Sequence, residues 1–580
     1  MRFWWGQLIF VGPPLMSRLV NARLVAPVWL ALIGFSLAGR FIDGMLVALG
    51  AYIVLFGAGQ PPRRRLLTFA TCAVLLLVAI TCGMLAAGHL GWVLLSYLGL
   101  ALLATVVEIA VPLGPPGPYF FVLMVGGGTL LGPSGLSLAH TLPLLALGSA
   151  AATVVALGDV LRDRYEVEER AVTAAETAVQ ELRKAVEAEQ DSDIGTSPTE
   201  VIDNELASAA SAVHHAWTTL LAGGGSDERA ARIEQHLRQV HGEYQNLYLT
   251  TVGNAHGHET AETAEAPGVA VATPKSSVDP RRTALGRPHL GHRMRTALHW
   301  PSQTLVTAVR VGAAVVAATL ISSLLGDDHP FWTVLVVLLV LSYPGDQQHL
   351  TLRAVQRLLG TVVGVIVFGA LMGFTLPTGA LVVVVCVLLW IVSRLATRNY
   401  LIGSFFITLL ALYLVVPLSP QQTPGSLALD RMIDTAIGVA LSLTLIWLVG
   451  PALTVPLTKA SIRLIARGSV NVLTDLAEAR DINDAEFVEH RRQLQQALMD
   501  SGNALRFAGP RARRRARPYR EFEQQCVRVG FWVLGEAWRP TRANAARCAT
   551  MRSHLHQIVQ LVSTDTTAED MRRASERLGG

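Results

Sequence analysis

The chain has 580 residues, of which 51% are hydrophobic and 16% charged, and its formal net charge is +5. The mean hydropathy of +0.41 indicates a membrane protein and excludes a single soluble enzyme domain, a fibre and a disordered chain. Residues 24–162 contain only 8 charged residues and residues 303–450 only 11, whereas the other 293 positions contain 72. Two apolar blocks therefore alternate with two polar segments.

The N-terminal stretch Phe3–Met16 is apolar but is not typical of a signal peptide. Pro13 and Pro14 interrupt it, and no small-residue cleavage site follows. We therefore expect residues 1–23 to form an interfacial segment.

Each apolar block is long enough for about six spanning helices of roughly 20 residues. Pro, Gly and charged residues divide the blocks near 24–40, 42–58, 66–88, 90–112, 118–133 and 139–161, and near 303–325, 330–343, 355–374, 378–394, 399–417 and 429–450. Several segments are short, so ten spans remain an alternative to twelve. In the twelve-span arrangement the arginines that flank the spans fall on one side of the membrane, and only Arg40 and Arg431 fall on the other side. The positive-inside rule then places both termini in the cytoplasm. The expected location is a bacterial inner membrane.

The polar segments have a helical pattern. In 163–248, apolar residues such as Ile233 and Leu237 recur at spacings of three and four, which predicts a helical cytoplasmic domain. Residues 249–299 lose this periodicity and gain Gly, Pro and Thr, which is typical of a flexible linker. The helical pattern returns in 451–580.

The predicted fold class is therefore an all-α polytopic membrane protein with two blocks of about six transmembrane helices, each followed by a helical cytoplasmic domain. The predicted parts are the interfacial segment (1–23), the first membrane block (24–162), a helical domain (163–248), the linker (249–299), the second membrane block (300–450) and a C-terminal helical domain (451–580).

Motifs for common enzyme chemistry do not stand out. The chain has three lysines, Lys184, Lys275 and Lys459, and none follows a glycine as a GxxxxGK[ST] phosphate loop requires. The run His256–Glu259 lies in the linker, where a solvated tract is the ordinary explanation. The arginine run 511–517 is expected to face lipid headgroups or solvent. The sequence thus predicts no enzyme, cofactor, metal centre or nucleic-acid partner.

The second block contains an internal repeat. The sequence RLLGTVVGV at 357–365 reappears as RMIDTAIGV at 431–439, 74 residues later. Because three spans separate the copies, the copies have opposite orientations, and an inverted-topology repeat around a midplane site is predicted. The alternative is that Gly360, Gly364 and Gly438 only let helices approach closely, and a repeat is compatible with that role as well.

These motifs, together with Arg310, residues 329–333, the pair 399–400 and Thr408, resemble the fusaric acid resistance protein-like family, which is related to the aromatic acid exporters. The similarity covers roughly residues 300–450. The resemblance implies efflux of small, often aromatic, carboxylic acids. A related block in plant malate-activated anion channels implies a channel as an alternative.

Charged residues inside the membrane are the main candidates for a site, because each costs free energy to insert. Arg310, Arg357 and Arg431 are suited to binding a carboxylate, the last two at opposite mouths of the second block. Their alternative role is anchoring or snorkelling at helix ends. Asp434 and Glu108 are candidates for coupling transport to protons, although Asp434 alternatively pairs with Arg431 one turn away.

Three further candidates complete the set of substrate-binding or gating residues. Trp332 is expected either to stack on an aromatic substrate or to belong to an interfacial aromatic belt. Thr361 and Thr435 occupy the same position in the two copies of the repeat.

The sequence predicts a secondary transporter that exports small organic acids, aromatic carboxylic acids foremost, with an ion gradient as the driving force. A passive anion channel and a membrane scaffold that recruits cytoplasmic partners are the alternatives. The expected partners are the lipid bilayer and small organic anions, while a homo-oligomer and a periplasmic adaptor are left open.

Overall fold

The computed structural model describes residues 18–57, 59–114, 117–158, 163–190, 200–257, 286–326, 331–341, 347–371, 377–395, 398–418, 422–481, 484–502, 508–538, 545–562 and 567–579. Within these ranges the chain forms helices and no strand. Residues 1–17 of the predicted interfacial segment and residues 258–285 of the predicted linker lie outside them.

The first apolar block forms six helices. They are α1 (Arg18–Leu37), α2 (Phe41–Ala51), α3 (Pro62–Ala86), α4 (Leu90–Ala110), α5 (Tyr119–Leu131) and α6 (Leu138–Leu157), and a short 3₁₀ turn at Tyr52–Leu55 follows α2. Local signals fix several starts: Pro62 occupies the first turn of α3, and the Ser137 hydroxyl accepts a hydrogen bond from the backbone N–H of His140 at the start of α6.

The polar segment after the first block forms α7 (Glu166–Gln190), α8 (Glu200–Gly223) and α9 (Glu228–Gly257), and a short helix, α10 (Leu290–Leu298), precedes the second block. Helix α9 thus continues past residue 249, where the linker is predicted to begin.

The second apolar block also forms six helices. They are α11 (Gln303–Leu324), α12 (Phe331–Leu341), α13 (Gln347–Leu371), α14 (Thr378–Leu395), α15 (Tyr400–Val415) and α16 (Pro424–Ala477). Helix α16 has 54 residues and passes through Pro451 and Pro456, so the predicted boundary at 450/451 falls inside one helix. At 1.5 Å per residue α16 is about 80 Å long. The chain ends in α17 (Ala485–Asp500), α18 (Pro510–Trp538), α19 (Ala545–Leu561) and α20 (Ala568–Gly579).

Seven of these helices have the length and hydropathy to cross a bilayer: α3, α4, α6, α11, α13, α14 and the first part of α16. Five shorter apolar helices lie among them, namely Val25–Leu37, Phe41–Leu55, Tyr119–Leu131, Phe331–Leu341 and Tyr400–Val415. These findings confirm the predicted all-α polytopic fold class and a multi-pass membrane protein.

The apolar helices of both blocks share one hydrophobic core. Within the first block α3 packs on α5 and α2 on α6, and within the second block α13 packs on α15 and α12 on α16. Contacts of α4 with α11 and of α1 with α14 join the two blocks. The helix pairing of the first block therefore recurs in the second, although the inverted repeat itself stays a prediction.

The polar segments also share one core, which we call the helical domain: α7 to α9, the C-terminal part of α16, and α17 to α20. The rings of Tyr248 and Phe531 lie 5.9 Å apart and join the two parts of the chain. Because α16 leaves the membrane core to enter this domain, the helical domain marks one face of the membrane, which we call the domain side.

A buried histidine makes the helical domain sensitive to acid. Trp217 Nε1 donates a hydrogen bond to His241 Nδ1 at 2.9 Å, and His241 is 5% exposed. Burial, reinforced by the positive charge of Arg238, lowers the pKa of His241 to about 4. The folded pKa lies below the unfolded value, so the stability that this group contributes is complete above pH 6.5 and falls as the pH drops from about 6.5 to about 4.

We expect His241 to lower the local stability of α8 and α9 by about 2 kcal/mol on acidification from pH 7 to pH 5, because the unfolded state binds a proton at this residue that the folded state excludes. His241→Gln keeps an acceptor for Trp217 but does not titrate, so it should reduce this pH dependence. Hydrogen–deuterium exchange of α9 peptides, corrected for intrinsic exchange rates, measures the effect. The exposed His236 on the same helix provides the control His236→Gln, and equal pH dependence in both variants would contradict the assignment.

Candidate functional site

The two copies of the repeated motif lie on α13 and α16, which pack against each other inside the second block. Gly360 and Gly364 bring α13 against α15: a methyl group at Gly360 would lie 2.7 Å from the Leu401 carbonyl oxygen and 2.7 Å from Ser404 Cβ. Such contacts are shorter than packed atoms tolerate, so only glycine permits this approach. The close approach places the polar atoms of α15 beside the arginine of α13.

The second copy makes an equivalent approach to α12. A methyl group at Gly438 would lie 3.0 Å from the Thr333 carbonyl oxygen and 2.8 Å from Val336 Cβ. A methyl group at Gly364 would meet the same two kinds of atom, the Phe405 carbonyl oxygen at 3.1 Å and Thr408 Cβ at 2.9 Å. The two contacted residues are three positions apart in each case, so the packing of one copy resembles that of the other.

Arg357 is completely buried beside α15. Its Nη1 donates to Ser404 Oγ at 3.4 Å, and Ser404 Oγ in turn donates to the Arg357 carbonyl oxygen at 3.2 Å. Its Nε and Nη2 atoms have no hydrogen-bond partner among the residues that the structure describes. The side chain of Tyr400 at the start of α15 also interacts with the Arg357 guanidinium group, which still retains N–H donors without an acceptor.

Arg431 is also completely buried, and its guanidinium carbon lies 4.0 Å from the ring centroid of Trp332. Within the described parts of the chain, Nε, Nη1 and Nη2 of Arg431 all lack a hydrogen-bond partner. The positive charge of Arg357 acts on Arg431 across the contact between α13 and α16. We refer to Arg357 and Arg431 as the arginine pair.

The location of the arginine pair differs from the predicted opposite mouths. Arg357 lies ten residues after Gln347, the first residue of α13, and Arg431 seven residues after Pro424, the first residue of α16. These separations correspond to depths of about 15 Å and about 10 Å along the two helices. Both side chains therefore project into the interior of the block.

Asp434 lies one turn after Arg431 and is 2% exposed. Its Oδ1 accepts a hydrogen bond from Thr333 Oγ1 at 2.9 Å, and Ser322 Oγ donates to the same threonine oxygen at 2.8 Å. The charge of Asp434 also acts on Arg431. A buried carboxyl group thus adjoins the arginine pair and is connected to α11 and α12 by hydroxyl groups.

The two candidate threonines have local structural partners. Thr435 Oγ1 donates to the Arg431 carbonyl oxygen of its own helix at 2.8 Å. Thr361 Oγ1 lies 3.3 Å from the hydroxyl oxygen of Thr408 on α15. Both therefore reinforce the helices that carry the arginine pair.

Arg310 has a different environment from the arginine pair. Its Nη2 donates to the carbonyl oxygen of Leu341, the last residue of α12, at 3.1 Å. Arg353 Nε donates to the Leu339 carbonyl oxygen at 3.1 Å, and its guanidinium carbon lies 3.6 Å from the ring centroid of Tyr400. Two arginines therefore satisfy the C-terminal carbonyl groups of the short helix α12, as cations at a helix C-terminus do.

Glu108 lies near the end of α4 rather than beside the arginine pair. Its Oε2 accepts a hydrogen bond from the backbone N–H of Leu113 at 3.0 Å. The positive charges of Arg287 and Arg64 act on this carboxylate. Its role in coupling stays a prediction.

The sequence analysis did not name Ser404 or Arg353 as site residues, although Ser404 contacts Arg357 and Arg353 lies on the same helix as Arg357. The available signal was the adjacent Asn399–Tyr400 pair: the Asn399 side chain accepts a hydrogen bond from Ile402 N at 3.1 Å and starts α15, which fixes the position of Ser404 one turn later. No group of three or more His, Cys, Asp or Glu residues in the described part of the chain is arranged as metal ligands.

The fold and these buried charges define an all-α, multi-pass membrane protein with a polar, cationic centre in its second block. Residues 316–445 match the fusaric acid resistance protein-like family. This match confirms the predicted resemblance, and it places the segment that is similar to that family inside the second block.

Comparison with curated proteins gives a similarity to another membrane protein. The chain is similar to the uncharacterized membrane protein YvaC of Bacillus subtilis (strain 168), with 24% identity over 452 residues that cover 70% of this chain and 69% of the relative. No solved structure matches the chain.

Replacing Gly360 tests the close approach that positions Arg357. We expect Gly360→Ala to destabilise the membrane core by about 1–3 kcal/mol, because the added methyl group forces α13 and α15 apart. The thermal midpoint of the purified protein in detergent, read by size-exclusion chromatography after heating, measures the loss. Gly369 lies on the same helix, and a methyl group there would have no neighbouring atom within 4 Å, so Gly369→Ala should not lower the midpoint. Equal midpoints for the two variants would refute this account of the packing.

Proposed function

We propose that the chain is a secondary transporter of a bacterial inner membrane that exports small organic acids, and that the arginine pair binds the carboxylate of the substrate. Aromatic carboxylic acids are the preferred class. Both termini and the helical domain lie in the cytoplasm in this proposal, as the distribution of arginines beside the twelve predicted spans favours.

The buried guanidinium groups carry the proposal. Five guanidinium nitrogen atoms, two on Arg357 and three on Arg431, have no hydrogen-bond partner among the described residues. A charged side chain at the centre of a spanning helix costs about 2.5–3.5 kcal/mol on insertion scales, and a buried N–H group without an acceptor adds to that cost. A bound carboxylate would supply acceptors in the bidentate geometry that guanidinium favours.

The surroundings of Arg431 support an aromatic substrate. The Trp332 ring lies against the guanidinium group of Arg431 and 4.2 Å from the ring centroid of Phe331. Aromatic faces beside a cation can accommodate both parts of an aromatic acid, because the ring stacks while the carboxylate pairs. The matched family also carries fusaric acid resistance in its name, and fusaric acid is an aromatic carboxylic acid.

The packing supports alternating access between two related halves. In this proposal α11 to α13 form one half and α14 to α16 the other, and the arginine pair lies where the halves meet. The similar approaches of Gly364 to α15 and of Gly438 to α12 are what inverted halves require. Movement of one half against the other would expose the pair to either side.

Removal of one guanidinium group should abolish most of the transport. We expect Arg431→Gln and Arg357→Gln each to reduce efflux of labelled 4-hydroxybenzoate from proteoliposomes by a factor on the order of 100, because loss of one partner in a buried charged hydrogen bond costs about 2–5 kcal/mol. Initial rates at several internal concentrations separate weaker binding from slower turnover.

Arg394, which is half-buried and lies 4.7 Å from the ring centroid of Trp390 in the same block, provides the matched control Arg394→Gln. The control should retain the wild-type rate. Unchanged efflux in both variants of the arginine pair would remove the basis of the proposed substrate site, and absence of efflux for a panel of acids in the wild type would favour the scaffold.

Asp434 is the proposed coupling group. We expect Asp434→Asn to abolish the part of the efflux that an imposed pH gradient drives, because asparagine keeps an acceptor for Thr333 but cannot carry a proton. The measurement compares efflux with and without the gradient in the same proteoliposomes.

Thr333→Val is the companion variant, since it removes the hydrogen bond to Asp434 and leaves the carboxyl group in place. It should retain gradient-driven efflux. A flux that is independent of the pH gradient in the wild type and unaffected by Asp434→Asn would identify a passive anion channel.

A further inference from the structure

A polar cavity lies on the domain side of the membrane, and its lining does not include either residue of the arginine pair. Its volume is about 360 Å³, and it lies between α8, the segment that leads into α10, the end of α17 and Pro112 after α4. His214 and His215 of α8 face Arg287 and Arg293 across it. The cavity therefore forms where the first membrane block meets both parts of the helical domain.

The charges around the cavity are mainly positive. The charges of Arg64 and Arg293 act on Arg287, and the carboxylates of Glu108 and Asp500 oppose them. Three guanidinium groups thus face two carboxylates, one of which, Glu108, already accepts a backbone hydrogen bond. No salt bridge within 4.0 Å joins Arg287 or Arg293 to a carboxylate in the described ranges.

The electrostatic effects of this arrangement agree with its geometry. Burial, together with the positive charges of Arg64 and Arg293, lowers the pKa of Arg287 to about 10. Burial and the charge of Arg287 lower the pKa of His214 to about 4, so His214 is neutral near pH 7 and can donate or accept one hydrogen bond at each ring nitrogen. An anion would relieve the repulsion among these cations.

The cavity has the size and composition of a small-molecule site. Its volume falls within the range of about 300–1,000 Å³ that such sites occupy. Pro112 and Met499 add apolar surface to the polar wall. A single benzene ring with one acidic group fits this combination of a cationic wall and a small apolar wall.

We propose that this cavity, which we call the domain-side cavity, binds a small organic carboxylate from the solution on the domain side, through Arg287 and the imidazole of His214. This site is distinct from the arginine pair and does not depend on the function proposed above. Arg293 has a supporting role, because its Nη2 donates to the carbonyl oxygen of Ile109 near the end of α4.

The position of the cavity connects it to the membrane helices. Helix α10 carries Arg293 and leads directly into α11, and both helices contact α4. The contact between α4 and α11 is one of those that join the two membrane blocks. A ligand held by Arg287 and His214 thus lies against the segments that connect the two blocks.

Binding of 4-fluorobenzoate to the purified full-length protein, followed by ¹⁹F NMR at pH 7.5, tests the proposal. The starting variant is Arg431→Gln, in which the arginine pair is disrupted, so the remaining binding reports on the second site. We expect Arg431→Gln to retain saturable binding and the further substitution Arg287→Gln to weaken it at least about tenfold, equivalent to about 1.4 kcal/mol. Arg295→Gln, at an exposed position of the same helix α10, is the matched control and should not change the affinity.

Two further measurements distinguish a soluble carboxylate from a lipid headgroup and from an effect of the substitutions on folding. Photolabelling of the wild type with 4-azidobenzoate should modify peptides from α8 or from residues 286–299, a result that does not rely on the folding of any variant. Binding should also be equal in phosphatidylcholine nanodiscs with and without phosphatidylglycerol. Loss of binding in the anionic nanodiscs would assign the cavity to lipid headgroups and overturn the proposal, as would labelling confined to the membrane helices or equal affinities for the Arg287 and Arg295 variants.

Discussion

Two guanidinium groups meet where α13 crosses α16, and the cost of burying them in a membrane core constrains everything around them. Arg357 and Arg431 are completely buried, yet protein acceptors in the described residues satisfy only a small part of their N–H groups. Such an arrangement is stable only if other interactions hold the two helices in place. Glycines supply them, because the approaches of Gly360 to α15 and of Gly438 to α12 bring backbone against backbone and give packing that lipid cannot replace. The packing of the membrane core therefore holds the two guanidinium groups in position.

The short helix α12 explains why the intramembrane arginines fall into two groups. With 11 residues it is about 16 Å long, so its ends lie within the protein, where every backbone group needs a partner. Arg310 and Arg353 donate to carbonyl oxygens at its C-terminus, whereas its N-terminus presents Trp332 and Thr333 to α16. Arg310 and Arg353 thus have carbonyl partners, whereas most N–H groups of the arginine pair have no acceptor among the described residues. Whether an arginine has such partners depends on whether a helix ends beside it. The position of the arginine within its apolar run does not indicate this.

The sequence predicted the helices far better than it predicted the site. Hydropathy placed a span near 90–112, and the structure has a helix at Leu90–Ala110. The agreement is close because glycine and proline bound a long apolar run and so determine both ends of the helix. Hydropathy also placed span starts near 355 and 429, but the helices begin at Gln347 and Pro424. The first turns are polar, so the hydropathy pattern missed them, and both arginines came out nearer the membrane surface than they lie. The partner of Arg310 could not be predicted either, because it is the carbonyl group of a residue 31 positions away.

The first block has the same helix pairing as the second but a different chemical content. Its buried polar side chains are Asp43 and a few hydroxyl residues, and no arginine is buried among its described residues. Asp43 is paired on both sides, with Arg40 Nε at 2.5 Å and His140 Nε2 at 2.8 Å, and as a carboxylate it does not attract an anion. Among the described residues the arginine pair lies in the second block, and α16 continues from this block into the helical domain. From Arg431 to Ile465, which lies in the core of that domain, α16 extends about 50 Å. Helix α16 therefore links the arginine pair directly to the helical domain, and Pro451 and Pro456 lie between the two.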